Sequence, residues 1–424
     1  MIDLKLLRAS PAQVRAALAR RGDGTLTRLL DEVEALDMKR RTLTGQLDQL
    51  KAERNDAAKA DALHVKQHGR LPDDVVAQRK RLGERVTSLE AELRQIEAVL
   101  DAKLLFVPNL PLAEVPEGDG THNAVVRSWG TPAPKGGAKP HWETAERLGI
   151  LDAARGAKLA GSGFPVLVGA GARLARALIN FMLDLHTREH GYVEVAPPLL
   201  VRREIMTGTG QLPKFEDDAY RTEPDDLFLV PTAEVPITNL HRDEILDGAA
   251  LPKGYVAYTP CFRREAGAAG KDTRGLLRVH QFAQVELVRF CRAPDSPAEH
   301  EKLTAHAEEV LRRLELPYRV VLLATGDLGF AGAKTYDLEA WAPGVEQWLE
   351  VSSSSTFTDY QARRANIRCR PRQGEKPEFV HTLNASGVAL PRTLAALLET
   401  HQQPDGSVAL PPALAPYFGA DRLA

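Results

Sequence analysis

The sequence predicts an α+β protein in which a long antiparallel hairpin of α-helices precedes a domain that mixes helices and strands. Three observations support this prediction. Two heptad patterns occupy the first 101 residues, a Pro- and Gly-rich segment follows, and helix and strand patterns then alternate to the end. The chain of 424 residues is long enough for two or three domains, and this division favours two.

The overall charge is close to balanced. The chain has 55 Lys and Arg residues and 57 Asp and Glu residues, which gives a formal net charge of -2. This balance excludes a generally basic protein that coats nucleic acid, but it allows a local basic surface. The three cysteines are too scattered for a disulfide framework or a CxxC-type zinc site. We expect a cytoplasmic protein, because no signal peptide and no run of 18 apolar residues is found.

Two heptad patterns define the hairpin, which spans about residues 27–101. In each pattern, steps of four and three residues alternate, as in the seam of a coiled coil. The first seam comprises Leu29, Val33, Leu36, Arg40, Leu43, Leu47, Leu50, Arg54 and Ala57, and the second comprises Val75, Arg79, Leu82, Val86, Leu89, Leu93, Ile96 and Leu100. Gly69 and Pro72 break the helix between the seams, so we expect an antiparallel arm of roughly 60 Å.

The arm carries many basic side chains. They include Lys39, Arg40, Arg41, Lys51, Arg54, Lys59, Lys66, Arg70, Arg79, Lys80, Arg81 and Arg85. From the arm alone, the simplest interpretation is a solvated coiled-coil face on which acidic residues are interleaved. Contact with the phosphates of a nucleic acid is the functional alternative, because Lys and Arg neutralise backbone charge. A protein–protein contact is a third interpretation.

The segments that flank the hairpin are shorter. Residues 1–24 form a lead-in, in which Ser10 and Pro11 mark the start of a helix. Residues 107–120 are rich in Pro and Gly and are typical of a linker. Beyond the linker, Leu174, Leu178, Phe181 and Leu185 fall on one helical face, and a strand over 192–195 follows Gly191.

Five segments of the second domain carry polar residues within predicted strands or at their ends. They are 231–235, with Thr232 and Glu234 on one face; 261–265, with Arg263 and Glu265 on one face; 280–290, with Phe282, Gln284, Glu286, Val288 and Phe290 on one face; 349–355; and 384–392. Each segment alone fits a surface strand or a satisfied polar core, but five in one domain indicate a site. No P-loop, GxGxxG or kinase motif is present, so arginines and a sheet must hold any bound nucleotide.

Several of these segments resemble motifs of class II aminoacyl-tRNA synthetases, in the version of the bacterial-type seryl-tRNA synthetase family. Residues 261–265 (Cys-Phe-Arg-Arg-Glu) and 273–282 (Thr-Arg-Gly-Leu-Leu-Arg-Val-His-Gln-Phe) resemble motif 2. Residues 171–198 resemble motif 1, and 384–394 (Asn-Ala-Ser-Gly-Val-Ala-Leu-Pro-Arg-Thr-Leu) resemble motif 3. Further stretches that match the family are 208–215, 232–234 (Thr-Ala-Glu) and 359–364. The class I signatures HIGH and KMSKS are not found, and the resemblance covers essentially the whole chain.

The resemblance implies a fold and a reaction. The catalytic domain would be an antiparallel sheet flanked by helices, and it would form a homodimer through motif 1. Serine and ATP would give seryl-adenylate and pyrophosphate, and the 3′-terminal ribose of tRNA(Ser) would then accept serine. The hairpin would bind the tRNA, with tRNA(Sec) as a further candidate. The implied domains are a tRNA-binding domain over 1–104, a linker over 105–120 and a catalytic domain over 121–424.

The resemblance also assigns a nucleotide site that would bind ATP and Mg²⁺. Arg263 matches the arginine at the α-phosphate, where a fixed cation stabilises developing charge. Glu265 matches the reader of the adenine amino group, and Phe282 matches the aromatic residue that stacks on adenine. Arg392 matches the arginine at the other face of the nucleotide and at the γ-phosphate, and it completes the implied catalytic set with Arg263 and Glu265. The full nucleotide set is Arg263, Arg264, Glu265, Val279, Phe282, Glu350, Val351, Ser352, Ser353 and Arg392.

In the same way, the resemblance assigns the serine site and the metal ligands. Glu286 matches the acid that accepts a hydrogen bond from the serine hydroxyl, and Glu350 and Ser353 match the Mg²⁺ ligands. The full serine set is Thr232, Ala233, Glu234, Arg263, Glu286, Asn384 and Ser386, of which Thr232 and Glu234 match the α-amino site. Independently of the resemblance, four strand residues separate Phe282 from Glu286 by roughly 13 Å, which suits an extended adenylate. No zinc is expected.

The sequence departs from the family pattern at two places, and three rival interpretations stay open. After Glu350 the family often has Ser-Ser-Cys-Ser-Asn, where residues 352–356 are Ser-Ser-Ser-Ser-Thr. Arg264 occupies a position of motif 2 where serine is common. The rivals are an amino acid:carrier-protein ligase, which lacks the arm; a non-catalytic synthetase-like protein; and an antibiotic-resistant copy of the same enzyme.

Overall fold

The computed structural model describes residues 1–136, 138–266 and 274–424, which form two compact units. The smaller unit comprises Asp23–Val107, and the larger one comprises Met1–Gly22 together with Pro108–Ala424. Thr273, which belongs to the motif 2 resemblance, lies outside the described residues.

The described residues form α-helices and β-strands, and the strands range from two to eleven residues in length. The α-helices are α1 (Leu4–Ala9), α2 (Pro11–Ala19), α3 (Thr25–His68), α4 (Asp73–Leu104), α5 (His141–Arg147), α6 (Ala153–Ala160), α7 (Ala170–Arg188), α8 (Arg203–Thr209), α9 (Glu234–Thr238), α10 (Ser296–Arg313), α11 (Tyr360–Ala365), α12 (Leu390–Thr400) and α13 (Ala415–Phe418). The β-strands are β1 (Ala124–Trp129), β2 (Leu151–Asp152), β3 (Val166–Leu167), β4 (Val193–Glu194), β5 (Leu200–Arg202), β6 (Leu227–Leu229), β7 (Ile245–Asp247), β8 (Lys253–Phe262), β9 (Gln281–Cys291), β10 (Tyr318–Leu322), β11 (Lys334–Ala342), β12 (Gln347–Thr356), β13 (Arg368–Arg370), β14 (Glu378–Phe379), β15 (His381–Ala389), β16 (Val408–Ala409) and β17 (Arg422–Leu423).

The smaller unit is a hairpin of the two long helices, as the heptad patterns predict. Helix α3 has 44 residues and α4 has 32, which correspond to lengths of about 66 Å and 48 Å. Gly69 ends α3 with a φ of 78°, in the left-handed region that suits glycine, and α4 begins directly after Pro72. Residues of both predicted seams form one apolar cluster, which contains Leu47, Leu50, Leu82, Val86, Leu89 and Leu93. The predicted coiled-coil hairpin is therefore confirmed.

The larger unit is built on an eight-stranded sheet in the order β1-β10-β11-β12-β15-β9-β8-β4. Neighbouring strands pair antiparallel from β1 to β8. The edge strand β4 is the exception, because it pairs parallel with β8. Apart from this edge, the antiparallel sheet expected from the resemblance is confirmed. Among the described residues, no helix is both long and apolar enough to span a membrane.

Helices cover one face of this sheet and leave polar side chains on the other. Leu178 of α7, Leu311 of α10 and Leu397 of α12 share one buried cluster with Val285 and Leu287 of β9. Because side chains alternate along a strand, the intervening residues of β9 point to the opposite face. These are Phe282, Gln284 and Glu286, so the predicted face of β9 is confirmed.

Two segments predicted as strands differ in the structure. Residues 231–235 form a turn that leads into α9, in which the hydroxyl of Thr232 accepts a hydrogen bond of 3.1 Å from the backbone N–H of Glu234. A hydroxyl that satisfies an unpaired N–H in this way favours a helix start over a strand. Strand β8 ends at Phe262, and Glu265 has a φ of 53°, which a strand residue does not adopt. The predicted extension of that strand to residue 265 is therefore wrong.

Candidate active site

Two joined cavities lie on the sheet face that the helices leave uncovered. Their volumes are about 240 and 350 Å³. The residues that line both cavities are Arg263, Gln284, Ser353 and Ser386. Strand β9 runs beneath both cavities, with Phe282 in the first and Glu286 in the second. A ligand that occupied both cavities would therefore extend along β9.

The first cavity collects almost all of the predicted nucleotide residues. They are Arg263, Glu265, Val279, Phe282, Glu350, Val351, Ser352, Ser353 and Arg392. Arg264 is not among the described residues that line this cavity. Its side chain is directed elsewhere, because Nη1 donates a hydrogen bond of 3.0 Å to the carbonyl oxygen of Asp217. The structure therefore does not bring the side chain of Arg264 together with the other predicted nucleotide residues.

Arginine side chains of the first cavity are held in place by neighbouring groups. The guanidinium of Arg263 lies 5.0 Å from the centre of the Phe282 ring, and its Nε donates to the carbonyl oxygen of Pro231 at 3.2 Å. Arg392 donates from Nε to the carbonyl oxygen of Leu277 at 3.1 Å and from Nη1 to Oε2 of Glu350 at 3.2 Å. Both cations are thus positioned before any ligand binds, which is the arrangement that stabilises developing charge best.

The second cavity collects the predicted serine residues. They are Thr232, Glu234, Arg263, Glu286, Asn384 and Ser386. Ala233 is completely buried and is not among the described residues that line the cavity. It lies in the turn that places Thr232 and Glu234 side by side. Ala233 therefore contributes to the site through its backbone conformation.

Glu234 is a buried acid whose orientation is fixed by Gln361. The amide nitrogen of Gln361 donates a hydrogen bond of 2.5 Å to Oε1 of Glu234, and the amide oxygen accepts one of 2.6 Å from Thr382. Burial raises the pKa of Glu234 to about 7, although the hydrogen bond from Gln361 and the charge of Arg263 oppose this shift. A cation such as an α-ammonium group would pair with this carboxylate and reverse the shift.

Glu286 is a second buried acid, and one of its oxygens is available. The amide of Asn384 donates a hydrogen bond of 2.8 Å to Oε1, whereas Oε2 has no hydrogen-bond partner within the described ranges. Burial, reinforced by the charge of Glu234, raises the pKa of Glu286 well above its usual range. Buried polar atoms are normally hydrogen-bonded, so the unsatisfied oxygen points to a ligand that donates a hydrogen bond.

Strand β12 carries the residues that match the metal ligands, as well as the departure from the family pattern. Ser353 lines both cavities, while Ser352 donates a hydrogen bond of 2.6 Å to the carbonyl oxygen of Ser386. Residues 354–356 are engaged with neighbouring elements: Ser354 with Thr304 at 2.8 Å, Ser355 with Thr335 at 2.9 Å and Thr356 with Ser296 at 3.2 Å. The departure is therefore accommodated by hydroxyl–hydroxyl bonds.

Some lining residues were not singled out by the sequence analysis. In the first cavity, Arg278 forms an ion pair of 3.1 Å with Glu265. Gln284 was placed on the same face as Phe282 and Glu286 but was given no role, and it lines both cavities. In the second cavity, Gln211 and Phe215 belong to the family stretch 208–215, for which no role was assigned. Phe330 and neighbouring residues come from a loop between β10 and β11 that carries no motif, so only the tertiary structure identifies them.

The comparisons with known proteins agree with this geometry. A sequence model of the seryl-tRNA synthetase N-terminal domain matches residues 1–111, and one of the class II tRNA synthetase core domain (G, H, P, S and T) matches residues 214–401. The serine–tRNA ligase of Gemmatimonas aurantiaca is 57% identical over 426 residues, with all of both chains covered.

Two solved structures are similar in both sequence and fold. The seryl-tRNA synthetase of Pyrococcus horikoshii complexed with ATP is 40% identical, with a TM-score of 0.94 and coverage of 100% of this chain and 99% of that one. The cytoplasmic serine–tRNA ligase of Naegleria fowleri in complex with AMP is 31% identical, with a TM-score of 0.85 and coverage of 97% and 95%.

Proposed function

The chain belongs to the seryl-tRNA synthetase family, and on that premise we propose that it is a serine–tRNA ligase that works in the two joined cavities. Serine and ATP react to give seryl-adenylate and pyrophosphate, and the 3′-terminal ribose of tRNA(Ser) then takes the seryl group from the adenylate. ATP occupies the first cavity, and serine occupies the second. A cytoplasmic location suits this activity.

One observation carries the proposal: Phe282 and Glu286 lie on the same face of β9, one in each cavity. At about 3.3 Å per residue they are roughly 13 Å apart. An aromatic ring at one end suits adenine, and a buried acid with an available oxygen at the other end suits the serine hydroxyl. The shared wall between the ends is where serine and the α-phosphate would meet.

The nucleotide residues have distinct tasks in this proposal. Phe282 stacks on adenine, and Glu265 accepts a hydrogen bond from its amino group. Arg263 binds the α-phosphate, where negative charge develops, and Arg392 covers the other face of the nucleotide and reaches the γ-phosphate. The ion pair between Arg278 and Glu265 places a further cation in the same cavity.

The serine residues provide selectivity as well as binding. Thr232 and Glu234 hold the α-ammonium group, while Glu286 accepts from the hydroxyl. Alanine lacks that hydroxyl and would leave the buried acid unpaired, which disfavours alanine strongly. Threonine keeps the hydroxyl, so its exclusion depends on the space around its extra methyl group.

A magnesium ion fits the oxygen donors of the first cavity. Glu350 and Ser353 offer a carboxylate and a hydroxyl, which are the hard ligands that Mg²⁺ prefers. No cluster of three or more His, Cys, Asp or Glu ligands is found among the described residues. Two protein ligands are enough when phosphate oxygens and water complete the coordination, as is usual for Mg²⁺ bound with ATP. The ion would supply charge neutralisation at the phosphates.

The helical arm is the proposed tRNA-binding element, within an N-terminal domain over 1–104. Of the twelve basic side chains of the arm named above, five form ion pairs with acids of the arm, namely Lys39, Arg40, Lys51, Lys59 and Arg79. The other seven are exposed and have no ion pair in the described part of the chain: Arg41, Arg54, Lys66, Arg70, Lys80, Arg81 and Arg85. Such side chains are available for phosphates of a nucleic acid. This observation favours the tRNA interpretation over a fully neutralised solvated face.

Helix α7 and strand β4, which match motif 1, provide the proposed homodimer contact. Strand β4 lies at an edge of the sheet, and the apolar side chain of Val193 on it is exposed. An exposed sheet edge with an apolar side chain is a favourable surface for pairing with a second copy. Sedimentation analysis of the full chain is expected to give a mass of about twice 46.4 kDa.

A carrier-protein ligase is the alternative that shares this catalytic architecture. The complete hairpin of α3 and α4 argues against it, because the arm serves a tRNA and has no task in such an enzyme.

Exchange of pyrophosphate into ATP, measured with each amino acid in turn, tests the proposal. We expect exchange with serine, much less with threonine, and least with alanine. Absence of exchange with serine would refute the proposed function.

A further inference from the structure

We propose that Gln284 is a further catalytic residue, whose side-chain amide donates a hydrogen bond to the carboxyl group of serine as that group attacks the α-phosphate of ATP. This inference rests on the proposed function, since it concerns a contact within the same site. Gln284 belongs to neither the nucleotide set nor the serine set, and its role follows from where the structure places it.

The position of Gln284 is central to the two cavities. It lies on β9 midway between Phe282 and Glu286, about 7 Å from each, and its side chain points to the same face. Together with Arg263 it is one of the residues that line both cavities. If adenine stacks on Phe282 and the serine hydroxyl reaches Glu286, the bond between serine and the α-phosphate forms above Gln284.

The amide of Gln284 is held in a defined orientation. Its side chain is only 5% exposed, its Nε2 donates a hydrogen bond to Oγ of Ser386, and its Oε1 accepts one of 3.4 Å from the thiol of Cys261. The bond to Ser386 uses one of the two hydrogens on Nε2, so the second hydrogen can be donated to a ligand. A donor that is fixed before the substrate binds requires no reorganisation during the reaction.

The neutral charge of Gln284 suits this environment. Glu286 is two residues away on the same face, and Glu234 also lines the second cavity. Arg263 already places one cation beside both acids, and the neutral amide adds a hydrogen-bond donor without a second charge that would pair with them. The amide instead donates a hydrogen bond to the serine carboxylate and leaves both acids available.

The step itself is a displacement at phosphorus. One carboxylate oxygen of serine forms a bond to the α-phosphorus of ATP, the bond from that phosphorus to the bridging β-phosphate oxygen breaks, and pyrophosphate leaves with the electron pair. No proton is transferred. Gln284 donates to the other carboxylate oxygen, which becomes the carbonyl oxygen of the adenylate, and thereby aligns the attacking oxygen with the phosphorus.

The test compares serine with serinol, which replaces the carboxylate by a hydroxymethyl group. We expect Gln284→Met, which keeps the length but lacks the donor, to weaken serine binding or slow single-turnover adenylate formation about tenfold. Serinol binding and the KM for ATP are expected to stay unchanged. Gln281→Met is the matched control, because Gln281 is exposed at the start of the same strand.

Two outcomes would overturn the inference: an unchanged serine affinity and adenylation rate in Gln284→Met, or an equal loss for serine and serinol, which would indicate a purely structural role. If Gln284→Met does not fold, Gln284→Asn keeps a buried amide but withdraws it by about one bond length, and the same selective loss is expected. A wild-type protein that fails to activate serine would refute the proposed function instead, so the two failures are distinguishable.

Discussion

The Nδ1 atom of His141 lies 2.8 Å from Oε1 of Glu399, and both side chains are completely buried. The other ring nitrogen of His141 accepts a hydrogen bond of 3.0 Å from the backbone N–H of Leu276, so the proton is on Nδ1 and is donated to Glu399. Leu276 lines the first cavity, and Glu399 belongs to α12, which also carries Arg392. The histidine therefore connects the second segment of motif 2 to the helix that carries Arg392 of motif 3.

We expect His141→Asn to raise the KM for ATP about tenfold, because the shorter side chain no longer accepts from the N–H of Leu276. The KM for serine should change little, since the second cavity does not contain this contact. Pyrophosphate exchange measures both constants, and His122→Asn, at an exposed histidine, is the control. Equal increases in both constants would contradict the role as a support for the nucleotide cavity.

Glu286→Ala is expected to lower serine activation by about 100-fold while ATP binding is retained. The variant removes the only proposed acceptor for the serine hydroxyl, and a site built to bind a hydroxyl loses most affinity when that hydrogen bond is lost. Exchange assays with serine and alanine, together with ATP titration by calorimetry, check this expectation. A variant that loses ATP affinity more than serine activation would reverse the assignment of the two cavities.

Glu234→Gln should stabilise the ligand-free protein at pH 8. The pKa of Glu234 is about 7 in the folded protein against 4.5 for an ordinary glutamate, so the folded state binds more protons between these values. The free energy of unfolding therefore falls as the pH rises through this window, and the difference in pKa corresponds to about 3 kcal/mol. A neutral glutamine avoids this loss and keeps the acceptor for Gln361.

Urea denaturation of wild type and Glu234→Gln measures this effect. We expect the variant to be more stable by up to about 3 kcal/mol at pH 8, with the difference nearly absent at pH 4.5. Serine activation should fall strongly at both pH values, because the amide cannot pair with the α-ammonium group. Equal stability of the two proteins at pH 8 would show that ionisation of Glu234 does not lower the free energy of unfolding, which would contradict this prediction.

Replacement of unpaired basic residues on the arm should affect only the reaction with tRNA. Arg81→Ala combined with Arg85→Ala is expected to raise the KM for tRNA about tenfold or more and to reduce the slope of log affinity against log salt by about one to two. Pyrophosphate exchange should remain unchanged. Lys59→Ala is the control, because Lys59 already pairs with Asp56. A similar effect of the control variant would argue against selective phosphate contacts.

Local patterns in the sequence account for much of the fold. The heptad spacing predicts α3 and α4 because an a/d seam is a short-range signal that few other structures share. The alternation along β9 predicts which side chains face the cavities, since the strand is paired on both sides and cannot change its register easily. The resemblance then assigns roles to residues such as Arg263 that spacing alone leaves open.

Other features depend on contacts that a linear pattern does not contain. The start of α9 at Glu234 results from a side-chain hydrogen bond of Thr232, which competes with the strand pattern. His141 and Glu399 are 258 residues apart, so neither carries a local signal for the other. The same is true of Gln284, which resembles an ordinary strand residue until the two cavities are seen to share it.

Strand β9 lies inside the sheet and sets the distance between the two ends of the site. Because β8 and β15 pair with the strand on both sides, the backbone positions of Phe282 and Glu286 stay a fixed distance apart. A mimic of the adenylate must therefore match the natural linkage in length. End-to-end length is therefore a first criterion for inhibitor design, because a linker of the wrong length would move one end out of its cavity.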